Sequence, residues 1–377
     1  MPKCPQRVLI AAFSDISRDP RPRRLADLCL SMGLETHLLA LPMERPVEGA
    51  VFHPLHRDSR ISKLRRIKRL LYYETRSYKR LLDARDMAGA RRIAAGLEID
   101  LIICSDLEFL PAFDGQARAM LFDAREYYPS QHEDRPLWRH LHRPYRHWLC
   151  QQFLPKCTRV VTVSPGLAER YSREFGVRTD LVMSVPFYAG LDPRPKGERL
   201  KMVHHGVANR NRRLETMLDV AELLPPAFTL DLVLVPAGDA RYRAILNRRV
   251  SRLPNVTFRP PVPLERIPHM LNEYDVGMFF AKPTTFNLKH CLPNKLFEFI
   301  QGNIIPAIGP NPDMAVMVRE YECGIVTDTY QPREMADCLL ALTDANVRRL
   351  KQACHAAAAE LCFEKEREKL RDVVLDC

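Results

Sequence analysis

Residues 292–309 read LPNKLFEFIQGNIIPAIG. Pro293 suits the first turn of a helix, where a missing N–H costs nothing. Gly302 suits the C-cap, and the apolar run after it reads as a buried strand. A helix start offers unpaired N–H groups and the positive end of the dipole, a natural anion site. Lys295 adds a charge there. Glu298 lies three residues from Lys295 and four from Asn294, so the three share one face. A carboxylate one turn below a phosphate can accept hydrogen bonds from the vicinal hydroxyls of a ribose. The pattern therefore suits a nucleoside diphosphate; the alternative is a capped helix with a surface Lys–Glu pair.

Working outward, the same helix-then-strand alternation fills the chain. RVLIAAF (7–13), THLLAL, LIICS (101–105), AMLFDA (119–124) and RVVTVS (159–164) are apolar runs of strand length. Helical patterns lie between them, including 62–96 with a break, 136–153 and 165–175. This is the β-loop-α-β order of a parallel sheet with right-handed crossovers. AGLDPRPKGERLK (189–201), rich in Pro, Gly and charge, reads as a linker. A second series follows: KMVHHG (201–206), LDLVLV (230–235), VTFR (256–259), DVGMFFA (275–281), the opening stretch, GIVTD (324–328), and helices at 332–342 and 346–371. The expected fold class is α/β, with two Rossmann-like domains facing across a cleft and a C-terminal helix packing back on the N-terminal domain. Expected bounds are 1–188, a linker at 189–200, 201–350, and the C-terminal helix at 351–377. Ligands of such sheets sit outside the carboxyl ends of the strands, so the cleft is the natural site.

The length of 377 residues agrees with two domains. Apolar residues make up 46% and charged residues 27%, as in globular proteins. No apolar run reaches the ~18 residues of a membrane span, and the N-terminus lacks a signal-peptide pattern. The 11 cysteines are scattered, odd in number and without a CxxC pair, which argues for reduced thiols and against a zinc site. The expected location is the cytoplasm. There is no G-x-G-x-x-G after the first strand, no Walker A, no GxSxG and no HExxH, which lowers NAD enzymes, P-loop NTPases, α/β-hydrolases and zincins.

The net charge of +11 favours polyanionic partners. Two basic features stand out. In HHGVANRNRRLE (204–215), Arg210, Arg212 and Arg213 follow a strand end, and arginine forks match phosphate oxygens. The stretch 60–92 spaces Leu64, Ile67, Leu70 and Leu71 helically among Lys and Arg, with Tyr72, Tyr73 and Tyr78 nearby. It fits either an amphipathic helix against an anionic membrane, peripheral on the inner face, or a core-facing helix with a charged outer side. Nucleic acid is not expected, since no groove of stacking aromatics accompanies the charge.

The opening stretch resembles the signature of GT-B glycosyltransferases, in particular the family-4-like group acting on bacterial surface polysaccharides. RDPRPRRLADLCLSMG resembles that family's first loop and helix, FDAREYYPS its Asp-Ala-His-Glu element, and RVVTVSPGLAERYSREFGV the end of its N-domain. HHGVANRNRRLETMLD resembles the donor phosphate loop, and NVTFRPPVPLERIPHMLNEYDVGMFF the region before the donor helix. The resemblance implies transfer of a sugar from a UDP- or GDP-type nucleotide sugar to a saccharide or lipid-linked saccharide acceptor, with retention. It implies that Glu298 holds the ribose, that Asn294, Lys295 and Leu296 lie on the donor helix, and that Arg212, with Arg210 and Arg213 as alternates, meets phosphate. Asp123, Arg125 and Glu126 match the Asp-Ala-His-Glu element, with Arg125 where a histidine is usual. His290 stands where a first glutamate is usual. Glu126, Arg125 and His290 are the catalytic candidates; His132, His204 and His205 are further acid–base candidates. No DxD-type pair is present, so no metal or other cofactor is expected. The two departures leave open a nucleotide-sugar epimerase or hydrolase, and a non-catalytic binding module.

Overall fold

The computed structural model describes residues 5–55, 62–83 and 87–377. Of the basic stretch 60–92, residues 60, 61 and 84–86 lie outside them. The chain forms two compact units. One takes the chain through Met183 together with Thr285–Asn287 and Arg367–Cys377; the other takes Ser184–Thr284 and Leu288–Glu366.

Among the described residues the first unit holds seven strands: β1 (Arg7–Ala11), β2 (Glu35–Ala40), β3 (Val51–Pro54), β4 (Leu101–Cys104), β5 (Ala119–Ala124), β6 (Arg159–Thr162) and β7 (Thr179–Leu181). All pair in parallel, in the order β3-β2-β1-β4-β5-β6-β7. Helices cover both faces, so the strands are apolar on both sides. Val8 and Ile10 of β1 pack with Leu25, Leu28 and Cys29 of helix Pro20–Ser31. Leu9 and Ala11 face the opposite cluster, around Phe109, Phe113 and Leu149. Leu370, Val373, Val374 and Cys377, near the chain's end, belong to the same buried group as Val8 and Ile10. The described residues of 62–96 form three helices, Lys63–Glu74, Tyr78–Asp83 and Ala88–Gly96. Strands β3 and β7, at the two edges, were not legible as strands. An edge strand buries less, and the periodic signal thins with it: β3 shows no fully buried residue.

The second unit holds β8 (Leu200–Ala208), β9 (Phe228–Gly238), β10 (Val256–Arg259), β11 (Val276–Phe279), β12 (Ile305–Ile308) and β13 (Ile325–Val326). Again all pairs are parallel, in the order β10-β9-β8-β11-β12-β13. Both sheets thus reverse strand order beside their first strand, β1/β4 in one and β8/β11 in the other. That reversal opens the crevice where such folds bind ligands. The expected 346–371 helix is two, Asp344–Glu360 and Phe363–Leu375. Among the described residues no helix is long and apolar enough to cross a membrane.

The helix of the opening stretch is Asn294–Gln301, with Pro293 as its N-cap. Gly302 ends it, but not by adopting a left-handed turn; Asn303, at φ 54°, does that. Gly302 is required by close approach: a Cβ there would lie 2.7 Å from Leu271 Cβ and 3.2 Å from the Pro268 carbonyl. Gln301 fastens the C-terminal end, donating to the carbonyls of Ala358 (2.7 Å) and Leu361 (3.1 Å). Gly277 in β11 lets the helix sit on the sheet, since a Cβ would fall 2.3 Å from the Phe299 ring.

Candidate functional site

In the second unit, β8 carries His204, His205 and Gly206 and runs on to Ala208, with a register shift between Val207 and Ala208. The two histidines therefore lie within the strand, not at its end. Gly206 has φ 119°, and a Cβ built on it would stand 2.9 Å from Lys295 Nζ. The bare glycine lets Lys295, from the first turn of helix Asn294–Gln301, cross the strand. Lys295 Nζ lies 5.5 Å from the Phe279 ring centroid, and the Arg212 guanidinium carbon lies 5.3 Å from the same centroid. Phe279 is the last residue of β11. One aromatic ring at the strand-order reversal thus brings together a cation from the β8 loop and a cation from the helix start.

The electrostatics are consistent with a site built for negative charge. Lys295 keeps partial access to solvent. Burial of its ammonium, with Arg212 beside it, pushes its pKa down to about 7, against the pull of Glu298 and Cys291. Burial and the neighbouring Lys295 push His205 down to about 3. His204 is held well below its ordinary value by burial and by Lys295. Both rings are therefore neutral near pH 7. His204 is linked through Nδ1 to the Met278 carbonyl at 2.8 Å. With the proton on Nδ1, Nε2 is left as a lone-pair acceptor. Glu298 is buried, with Oε2 at 3.3 Å from His205 Nε2. Among the described residues, His204 Nε2, Asn211 Oδ1 and Arg212 Nη1 are buried without a hydrogen-bond partner. Such atoms cost about 1–3 kcal/mol each unless something meets them. Arg212 Nη1, a buried donor near Lys295, is the orphan an anionic oxygen would satisfy.

The other expected donor residues divide. Arg210 is bound to Asp239 at 2.6 Å and stacks on Tyr242. Asp239 caps helix Ala240–Val250, so Arg210 fastens that helix. Arg213 is exposed at φ 44° and lines a cavity of about 380 Å³ with Lys282, Tyr330 and Gln331. Asn294 is half-buried at the helix start. Leu296 is fully buried, and its N–H donates to the Pro293 carbonyl. His290 Nδ1 lies 3.4 Å from Asp313 Oδ2, in the first turn of helix Pro312–Glu320.

The first unit carries a separate polar cluster beyond β5. Asp123 is fully buried against Arg21, with contacts of 2.6–2.8 Å, and Arg21 also donates to the Val182 carbonyl. This pair fixes helix Pro20–Ser31 to the sheet. Arg125 reaches Asp19 at 2.6 Å and Asp106 at 3.4 Å. Burial pushes the Glu126 carboxyl up to about 7, opposed by Arg146 and Arg125. It accepts from Gln131, which accepts in turn from Arg146, and lies 3.5 Å from Asn287 Nδ2. Asn287 also clamps the Tyr127 backbone, accepting from its N–H at 2.7 Å and donating to its carbonyl at 3.1 Å. His132 packs edge-on against Trp138, and burial lowers its pKa. Gly206, Phe279, Asn287 and Arg146 were not singled out from sequence. The one signal was the GMFFA run, which puts an aromatic at a strand's carboxyl end. Among the described residues no group of three His, Cys, Asp or Glu converges as a metal set.

No family model matches the chain, and no curated protein matches it. Solved structures do. The chain is similar to sucrose-phosphate synthase from Thermosynechococcus elongatus, at 14% identity and TM-score 0.77 over 98% of both chains. It is similar to Anabaena HepE in complex with UDP and glucose, at 13% identity and TM-score 0.71, covering 97% of this chain and 98% of that one. It is also similar to an α,α-trehalose-phosphate synthase from Burkholderia vietnamiensis, at 12% identity and TM-score 0.65, covering 98% and 99%. Likeness at this identity, over whole chains, shows the fold: the pair of Rossmann-like units of the GT-B type.

Proposed function

We propose that the protein is a glycosyltransferase that moves a sugar from a nucleotide-diphosphate donor to an acceptor hydroxyl. The observation that carries this reading is the meeting of Lys295 and Arg212 on Phe279, with the buried orphan Arg212 Nη1 beside them and buried Glu298 one turn along the same helix. The UDP and glucose held by Anabaena HepE support a uridine nucleotide sugar as donor, with a GDP-type donor as the variant to test. In the reaction the bond from the anomeric carbon to the diphosphate oxygen breaks, and its electron pair leaves with the diphosphate. A bond forms from that carbon to the acceptor oxygen, which loses its proton. We assign Lys295 and Arg212 to the charge developing on the leaving diphosphate, where fixed cations lower the barrier, with no metal ion taking part. Glu298 is assigned to the ribose hydroxyls. Glu126, with a pKa of about 7, is assigned to take up the acceptor's proton. Retention at the anomeric carbon, a role in polysaccharide or glycolipid assembly, and a cytoplasmic location complete the proposal.

The test is nucleotide release from a panel of UDP-, GDP- and ADP-sugars, with and without saccharide acceptors, beside thermal unfolding with each nucleotide. Acceptor-dependent release, with protection by the matching nucleotide, is the expected result. Release that ignores acceptor would replace transfer by hydrolysis. Protection with no turnover would leave a binding module, a reading that the fastening of Arg125 between Asp19 and Asp106 would then favour.

A further inference from the structure

Helix Lys63–Glu74 is turned the opposite way from an ordinary surface helix. Its one buried residue is Tyr73, which packs edge-on against Tyr145 and His142 of helix Pro136–Phe153. Glu74 adds a contact to His140 at 3.1 Å. The apolar side chains face away. Leu64 is 63% exposed, Ile67 64%, Leu70 50% and Leu71 56%. At about 100° per residue, Leu64, Ile67 and Leu71 form one stripe, with Leu70 at its edge, and Tyr73 lies on roughly the opposite side. Between residues 63 and 73 there are five basic residues, Lys63, Arg65, Arg66, Lys68 and Arg69, and no acidic one. Leu137, one turn before His140, is 69% exposed as well. A core-facing helix would hide this stripe.

We propose that this face docks on an anionic lipid surface, with the leucine and isoleucine side chains in the acyl boundary and the lysines and arginines among the headgroup phosphates. The charge decides between a lipid surface and a second copy of the chain. A two-fold contact sets the same patch against itself, so it would bring five cations against five. An anionic bilayer meets those cations with opposite charge and accepts the apolar stripe in the same act. The proposal does not depend on the glycosyl-transfer reading, and its test does not read activity.

The test is flotation of the full-length protein with phosphatidylcholine vesicles, with and without phosphatidylglycerol, at low and high salt. The protein should float with the anionic vesicles at low salt, and binding should weaken as salt screens the headgroups. The double variant Ile67→Glu, Leu71→Glu changes two exposed positions and should keep the wild-type melting curve while losing flotation. The triple variant Lys63→Gln, Arg66→Gln, Lys68→Gln should partition about a hundredfold more weakly, each cation being worth about fivefold near such a surface. Flotation that the Glu variants leave unchanged would overturn the assignment, as would no flotation at low salt. A concentration-dependent dimer, broken by the same Glu variants in sedimentation, would give the face to a second copy and overturn it too.

Discussion

Binding of a nucleotide sugar should draw a proton from solution, and the amount is set by Lys295. In the unliganded protein its pKa lies near 7 because burial and Arg212 disfavour the charge. A bound diphosphate brings two negative charges to the same place and should return the lysine toward its ordinary value of 10.5. At pH 8 a group of pKa 7 is about one-tenth protonated, so binding should take up about 0.9 proton; at pH 6 the uptake should fall to about 0.1. If only the protonated form binds, the dissociation constant should rise about fiftyfold between pH 7 and pH 9. The assay is titration calorimetry with UDP-glucose in buffers of different ionisation enthalpy. The sugar diester is preferable to UDP, whose terminal phosphate titrates near pH 6. Lys295→Arg keeps a permanent charge, so it should bind with no proton uptake. The sign for stability is also fixed. Between about pH 7 and 10.5 the unfolded chain carries the proton that the folded apo protein lacks, so stability should rise with pH across that window. Lys295→Met should therefore raise the apo melting temperature at pH 6 while removing donor binding. Tight donor binding at pH 8 with no proton uptake would refute the reasoning, because the lysine would then be charged already in the apo state or absent from the phosphate contact.

Three further outcomes follow from named contacts. Gly206→Ala adds a Cβ 2.9 Å from Lys295 Nζ at φ 119°; it should cost about 1–2 kcal/mol in denaturant unfolding and weaken donor binding by about tenfold or more, the worth of one charge-assisted bond. Glu298→Ala should weaken donor binding by about ten- to a hundredfold, and unchanged affinity in calorimetry would end the ribose assignment. Glu126 carries its proton below about pH 7. If it accepts the acceptor's proton, the rate should climb as pH rises through 7, and Glu126→Gln should flatten that limb; a Gln variant with the same pH–rate profile would remove the role.

The parts of this fold that could be read from sequence are those with local period. Helix Asn294–Gln301 carries its apolar face, its proline start and its glycine stop within ten residues, and the strands beside it are continuous apolar runs. Local spacing also brought Asn294, Lys295 and Glu298 onto one helix. What spacing could not supply was the partner across the sheet. Gly206 matters because Lys295, eighty-nine positions later, lies over it, and Arg212 and Lys295 share Phe279 for the same long-range reason. The three arginines of the β8 loop look equivalent in sequence. They separate only once Asp239 takes Arg210, a backbone turn exposes Arg213, and Arg212 is left half-buried beside Lys295 with its Nη1 buried and unpartnered. Asp123 matched a functional element by order, yet its carboxylate is consumed by Arg21, a pairing across 102 positions.

The apolar side chains of Leu370, Val373, Val374 and Cys377 complete the buried group around Val8 and Ile10. Synthesis separates the two sides of this group by the whole of the second unit. The first unit therefore cannot complete this buried group until the second unit's residues have been made and the later side chains follow them. For this unit the usual order of vectorial folding, N-terminal part first, is suspended. A chain cut after Glu366 would carry the strands of both sheets and still leave the earlier sheet without this cover.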